Sequence, residues 1–168
     1  MSNVWHQHRA HIAGIWELVS FEIWDCQGPH RKVISRPNTD KPLGRSVITP
    51  GGFSSVHNVR PDVMQRFKDV PLSKASVEQL ADILRGISMY CGPVQLFEDG
   101  NDGLLLEILV ASASDPQRIG GIQKRKLIYF QEDSSDFMLL KPKDEYLLQD
   151  GTRAYPELKW RRFEEFTI

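Results

Sequence analysis

Short strand-like segments follow one another along almost the whole chain, and this succession restricts the fold more than any other sequence feature. Most segments alternate polar with apolar residues or are rich in β-branched and aromatic residues, as β-strands are. The predicted strands cover residues 15–25, 29–36, 44–49, 53–60, 88–98, 104–112, 120–130, 136–142 and 157–166. The connection Thr49–Gly52 (TPGG) has the proline and glycine of a tight hairpin turn. The sequence therefore predicts a mainly antiparallel, all-β protein.

One convincing helix interrupts the strands, within Ser73–Ile87 (SKASVEQLADILRGI). Ser73 or Ser76 can cap its start. An apolar stripe at helical spacing comprises Val77, Leu80, Ala81, Leu84 and Ile87. Because the helix does not alternate with the strands, βαβ units are disfavoured. A closed barrel covered by this helix is favoured, and about eight strands leave room for one small ligand. The alternative, an α+β cone, requires several N-terminal helices, which the sequence does not predict.

Length and charge restrict the class of protein. The chain of 168 residues is expected to form one domain, with residues 1–11 as an N-terminal arm that is either a short helix or a loose segment. The net charge is −1 and no long run of one sign occurs, so nucleic acid is not an expected partner. The sequence has neither a signal-peptide pattern nor an apolar run of about 18 residues. A cytoplasmic monomer or homodimer without membrane contact is the expectation.

Four stretches resemble the lipocalin-like domain family, in the order in which that family has them. They are Gly14–Glu22 (GIWELVSFE), Gly44–Asp62 (GRSVITPGGFSSVHNVRPD), Met89–Gly100 (MYCGPVQLFEDG) and Glu157–Phe163 (ELKWRRF). The resemblance implies a lipocalin-like barrel whose base is closed by Trp16, with Arg162 lying across the indole ring. Such a cation–π contact stabilises a fold by about 0.5–2 kcal/mol.

Two positions depart from the family pattern. Ile48 stands where the hairpin strand of the family has a tyrosine, and the strand containing LLLEILV (Leu104–Val110) lacks the family's histidine. The resemblance therefore implies an individual cavity whose ligand does not transfer from relatives. Some fungal proteins with similar barrels act in secondary metabolism as cofactor-free cyclases or isomerases, which makes a comparable reaction an expectation here.

The first strand supplies the leading candidate for catalysis. If Trp16 points inward, regular alternation takes Ser20, Glu22 and Trp24 inward as well. A carboxylate in an apolar cavity has a raised pKa and can serve as a general acid or base, so Glu22 is a candidate catalytic residue. Ser20 and Trp24 are candidate ligand contacts. Two alternatives remain: the strand bulges and exposes Glu22, or Glu22 makes a structural ion pair.

Two further charged candidates lie on later strands. Arg125 shares a strand face with Tyr129, and an inward arginine could hold a carboxylate, an enolate or a carbonyl oxygen. Tyr129 is a candidate ligand contact. Glu107 is the only charge in an apolar run and shares its face with Leu105 and Leu109, which slightly favours an inward catalytic position. The alternatives are a purely structural pairing of Arg125 with a glutamate and an outward Glu107.

The remaining candidates are His57 for proton transfer, and Ser55 and Tyr90 for ligand binding. Each could instead be an ordinary packing residue. No metal is expected, because the histidines of the N-terminal arm lack a carboxylate or cysteine partner set. No cofactor is expected either, since phosphate-loop and dinucleotide motifs do not occur in the sequence.

These observations lead to two hypotheses of function. The first is a cofactor-independent cyclase, isomerase or dehydratase that acts on a mostly hydrophobic natural-product intermediate, with Glu22, His57 or Glu107 moving a proton and Arg125 stabilising negative charge. The second is a non-catalytic intracellular carrier of an apolar small molecule. A weaker third possibility is a scaffold whose barrel is filled by its own side chains.

Overall fold

A closed antiparallel barrel forms the body of the protein in the computed structural model, which describes residues 2–26, 31–100 and 103–163. Within those ranges the helices are α1 (Trp5–Ile12), α2 (Pro61–Arg66) and α3 (Val77–Arg85). The strands are β1 (Gly14–Asp25), β2 (Val33–Ser35), β3 (Leu43–Ile48), β4 (Phe53–Val59), β5 (Ile87–Glu98), β6 (Leu104–Leu109), β7 (Ser112–Ala113), β8 (Ile122–Glu132), β9 (Ser135–Lys141), β10 (Tyr146–Leu147) and β11 (Arg153–Arg162).

Eight of the described strands close the barrel, in the order β1-β3-β4-β5-β6-β8-β9-β11, and β11 pairs with β1 to complete the ring. All of these pairings are antiparallel. Neighbouring strands are mostly neighbours in sequence, because hairpins connect them. The predicted all-β, lipocalin-like closed barrel is confirmed. Residues 29–30 and 164–166 of two predicted strands lie outside the described residues.

The N-terminal segment is a helix that packs against the base of the barrel. The two buried residues of α1, Trp5 and Ile12, lie seven positions apart on the face turned to the barrel. The Trp5 indole nitrogen donates to the carbonyl of Pro50 at 3.1 Å, and the backbone N–H of Val4 donates to the carbonyl of Leu96 at 2.8 Å. Of the arm expected over residues 1–11, residues 5–11 are helical, as in the first of the two alternatives.

Trp16 and Arg162 form the predicted contact at the base. The guanidinium carbon lies 4.4 Å from the centre of the indole ring, and Trp16 itself is fully buried. The indole nitrogen donates to the carbonyl of Ile12 at 2.9 Å. Arg162 also donates to the carbonyl of Ala13 at 2.8 Å, which ties α1 and β11 together. This base belongs to the fold and leaves the cavity above it.

A bulge in β1 reverses which residues face inward. Leu18 pairs with Trp160, but the next residue of β11 pairs with Ser20, so Val19 is an additional residue in β1. Because strand side chains alternate with a period of two, one extra residue inverts every later position. Phe21 consequently faces the cavity and Glu22 faces outward.

The predicted helix exists, but its apolar stripe is not packed as expected. Ser76 caps α3 in a capping box with Gln79, which confirms one of the two predicted caps. Val77 and Leu84 are largely exposed, at 78% and 59%, and no residue of α3 is buried. The helix lies at the mouth of the barrel, where Arg85 and the following glycine line the cavity. No helix in the described residues is long and apolar enough to span a membrane.

Candidate functional site

The barrel encloses a cavity of about 440 Å³ that extends from the interior towards α2 and α3. Strands β9 and β11 supply an apolar wall made of Met138, Leu140, Leu158 and Trp160. Phe21, turned inward by the bulge, extends this wall along β1. The volume lies within the range of about 300–1,000 Å³ that is usual for small-molecule sites.

The polar side of the cavity contains Arg125 and Gln123 from β8, Tyr90 from β5, and Arg118 from the 3₁₀ turn that precedes β8. The Arg118 guanidinium stacks on the Tyr90 ring at 4.0 Å from its centre. It also donates to the side-chain oxygen of Gln123 at 2.8 Å and to the Ser88 hydroxyl at 3.3 Å. Arg125 donates to the backbone carbonyl of Lys124 at 2.8 Å.

Burial governs the titration of this cluster. It lowers the pKa of Arg125, an effect that Tyr90 opposes and the positive charge of Arg118 reinforces. Burial also raises the pKa of the Tyr90 phenol, and the charges of Arg125 and Arg118 only partly offset it. Tyr90 therefore stays a neutral hydrogen-bond donor at physiological pH, between two guanidinium groups that attract oxygen atoms.

Three buried polar atoms on the cavity wall have no hydrogen-bond partner in the described part of the chain. They are Ser54 Oγ, Asn58 Oδ1 and Trp160 Nε1. Ser54 and Asn58 lie on the inward face of β4, and Trp160 lies on β11. A buried polar group without a partner costs about 1–3 kcal/mol. Because all three atoms are themselves buried, they do not present hydrogen-bonding surface to the open part of the cavity.

The sequence profile of the lipocalin-like domain family matches residues 13–163, nearly the whole chain. The chain belongs to this family. No curated protein and no solved structure matched it. A lipocalin-like barrel with an internal cavity is compatible with binding a small molecule.

Both departures from the family pattern concern strands that line the cavity of this lipocalin-like chain. Ile48, in place of a tyrosine, is buried and lines the cavity. In the strand that lacks the histidine, the residues that line the cavity are Leu106 and Ile108. These positions are therefore apolar, and the polar groups of this lipocalin-like cavity include residues of β3, β4, β5 and β8 together with Arg118 of the 3₁₀ turn.

Three predicted site residues on β1 lie outside the cavity, so their expected inward placement is wrong. The bulge turns Ser20, Glu22 and Trp24 outward. Glu22 accepts a hydrogen bond from the guanidinium of Arg36 at 2.9 Å, which is the ion-pair alternative. Trp24 stacks under Arg31, whose guanidinium carbon lies 4.8 Å from the ring centre.

Three further predicted residues also point away from the cavity. On β4 the inward residues are Ser54, Val56 and Asn58, so Ser55 and His57 face outward, where their side chains lie 2.9 Å apart. On β6 Glu107 faces outward and pairs with Lys124 at 2.7 Å. The inward expectation failed because both faces of these strands are partly apolar.

Tyr129 faces inward but lies at the base, below the cavity wall. Its hydroxyl donates to Asp136 Oδ1 at 2.7 Å, and burial together with this carboxylate raises its pKa. Arg162 binds the other oxygen of Asp136 at 2.7 Å. Burial raises the pKa of Asp136, but hydrogen bonds from Gln131, Tyr129 and Arg162 hold it below its usual value. Tyr129 thus takes part in closing the barrel.

Of the predicted site residues, the structure brings Arg125 and Tyr90 together at the cavity. Arg118, Asn58 and Trp160 are additional members that the sequence did not single out as site residues. The Asp115–Pro116 pair marks a turn, but nothing local shows that the turn carries Arg118 back over the barrel. No group of three or more His, Cys, Asp and Glu side chains in the described ranges is arranged to hold a metal ion.

Proposed function

We propose that this lipocalin-like protein binds an amphipathic small molecule inside its barrel. The observation that carries the proposal is a cavity of about 440 Å³ in which an apolar wall from β9 and β11 faces a polar group made of Arg125, Arg118 and Tyr90. A ligand with one polar end and an apolar body would place its polar end at this group and cover the wall of β9 and β11. The scaffold hypothesis is disfavoured because the barrel is not filled by its own side chains.

Binding can be tested with the neutral fluorophore N-phenylnaphthylamine, whose emission rises in apolar surroundings. In Leu140→Trp the larger side chain would occupy the cavity, so the dissociation constant is expected to rise about tenfold or more. The matched control is Ile128→Trp, which places the same residue on the outer face of β8, at a position that is 40% exposed. This control should bind as the wild type does.

Thermal unfolding of both variants shows whether each retains the fold. If the wild type binds no fluorophore, the proposed function is wrong. If folded Leu140→Trp binds as tightly as the wild type, the fluorophore does not occupy the barrel, and the proposal fails in that case too.

Catalysis is a second candidate function, supported by the proximity of a phenol and two guanidinium groups. Tyr90 could transfer a proton while Arg125 stabilises negative charge on an oxygen. The reaction would be a cofactor-independent cyclisation, isomerisation or dehydration of a natural-product intermediate in secondary metabolism. In this mechanism Glu22, His57 and Glu107 have no part, because they lie outside the cavity.

Replacing Tyr90 by phenylalanine distinguishes an enzyme from a non-catalytic carrier. The small molecules that co-purify with the wild type and with Tyr90→Phe are extracted and compared by chromatography and mass spectrometry. An enzyme is expected to retain its product in the wild type and its unconverted substrate in the variant. The same compound in both preparations would contradict a catalytic role for Tyr90 and favour a carrier.

A further inference from the structure

We infer that the cavity selects an amphipathic acid, whose carboxylate or comparable oxyanion is held by Arg125 and Arg118. This inference rests on the proposed function, because it specifies the chemistry of the bound molecule. Three features support it: the balance of charge around the cavity, the position of the guanidinium groups and the apolar wall beside them.

The charges that line the cavity are all positive. The four charged residues of the lining are Arg60, Arg85, Arg118 and Arg125, and no aspartate or glutamate of the described chain contributes to it. The two at the mouth are compensated by neighbouring carboxylates. Arg60 pairs with Asp62 at 2.7 Å, and Arg85 pairs with Asp82 at 3.2 Å.

The two arginines beside Tyr90 lack such compensation. Neither Arg118 nor Arg125 forms an ion pair with a carboxylate anywhere in the described ranges. Their hydrogen bonds go to neutral groups: Ser88 and Gln123 for Arg118, and the carbonyl of Lys124 for Arg125. Two uncompensated positive charges therefore face the same enclosed space.

Withdrawing a cation from water without an opposite charge is unfavourable, and burial accordingly lowers the pKa of Arg125. An anionic ligand would remove this imbalance. A guanidinium group presents a planar fork of donors that fits the two oxygens of a carboxylate, and such charge-assisted bonds are about twice as strong as neutral ones. The neutral phenol of Tyr90 lies beside both arginines and could add a further donor.

The surroundings of Arg125 place an apolar body next to this charged group. Arg125 is paired with the buried Leu106 of β6. Two residues further along β8, the buried Leu127 is paired with Leu140 of β9. A molecule whose oxyanion contacts Arg125 would therefore lay its apolar portion against the wall that contains Leu140 and Trp160. A purely polar anion would leave that wall uncovered.

The test compares decanoate with decanol, which share an alkyl chain and differ in charge. Each displaces N-phenylnaphthylamine from the wild type at neutral pH. Decanoate is expected to bind about tenfold or more tightly than decanol. In Arg125→Met this preference should fall to about threefold or less, because decanoate binds less tightly while decanol binds as before.

Lys124→Met is the matched control, since it removes one positive charge from the adjacent, outward-facing position of the same strand. It should keep the preference for decanoate. A preserved preference in Arg125→Met, or a lost one in Lys124→Met, would overturn the assignment to Arg125. Arg125→Lys keeps the charge without the planar fork and should show an intermediate preference, so it provides a second variant if Arg125→Met does not fold.

Failure of the inference is distinguishable from failure of the proposed function. If the fluorophore binds in the barrel but decanol displaces it as well as decanoate does, binding stands and the anion preference is wrong. Absence of fluorophore binding contradicts the proposed function itself. A preference for decanoate that is lost in Arg125→Met and kept in Lys124→Met supports both.

Discussion

Replacing Trp16 by alanine is expected to lower the free energy of unfolding by about 3–5 kcal/mol. The side chain is fully buried at the base of the barrel. Its removal would open a cavity there, delete the hydrogen bond to the carbonyl of Ile12, and leave the guanidinium of Arg162 without the ring on which it stacks. Because these interactions connect β1, α1 and β11, their removal weakens the closure of the whole barrel.

Urea unfolding followed by circular dichroism measures this effect. The matched control is Ile15→Ala, which shortens the neighbouring side chain on the outer face, where Ile15 is 41% exposed. That change should cost less than about 1 kcal/mol. Trp16→Phe retains part of the ring contact and should lie between the two. Equal decreases in stability for Trp16→Ala and Ile15→Ala would contradict the role of Trp16 as the closing residue.

Gly92→Ala is expected to destabilise the protein by about 3 kcal/mol or more, through a clash that no rotamer can relieve. A Cβ atom at this position would lie 1.8 Å from the backbone carbonyl oxygen of Leu109. The close approach arises because β5 pairs with two strands that carry an extra residue between them. Val94 pairs with Ile108, and Cys91 pairs with Ser112. The chain therefore advances by three residues on β5 but by four residues on β6 and β7 between these two pairs.

The irregularity beside Gly92 also positions part of the cavity. The chain that passes over Gly92 continues through β7 to the 3₁₀ turn that carries Arg118. We therefore expect Gly92→Ala to reduce the preference for decanoate as well as stability. Gly51→Ala is the control, since its nearest new contact would be Thr49 Oγ1 at an ordinary 3.9 Å. Similar unfolding curves for the two alanine variants would show that the close approach at Gly92 is not required.

The bulge in β1 explains why a correctly predicted strand leads to wrongly placed site residues. The sequence predicts a strand over residues 15–25, and the observed strand is Gly14–Asp25. Strict alternation from Trp16 predicts its inward face. The alternation is correct at Leu18 and fails from Ser20 onward, because Val19 adds one residue opposite β11. Nothing in the local sequence distinguishes this residue from its neighbours.

The inward placement of Arg125 and Tyr90 has less support in the sequence than the inward placement expected for the β1 residues, yet it agrees with the structure. For Arg125 the resemblance to the family indicates an arginine at this point of the strand, while the pattern of β8 leaves both faces possible. Tyr90 shares the inward face of β5 with Val94 and Leu96, whose apolar character favours burial. The sequence of β8 alone predicts neither the partial burial of Arg125 nor the lack of a carboxylate partner among the described residues.

By itself the sequence determined the positions of the main strands along the chain and the turns between them, and its resemblance to the lipocalin-like family implied closure of the barrel by Trp16 and Arg162. The strands and turns depend on the periodicity of short segments and on turn residues, both of which act locally. Only the tertiary structure decided that Glu22 pairs with Arg36 outside the barrel, and that Arg118 joins Arg125 and Tyr90 inside it. The physical reason is that side-chain facing depends on register between strands, where one extra residue reverses it, and that ion pairs form between residues distant in sequence.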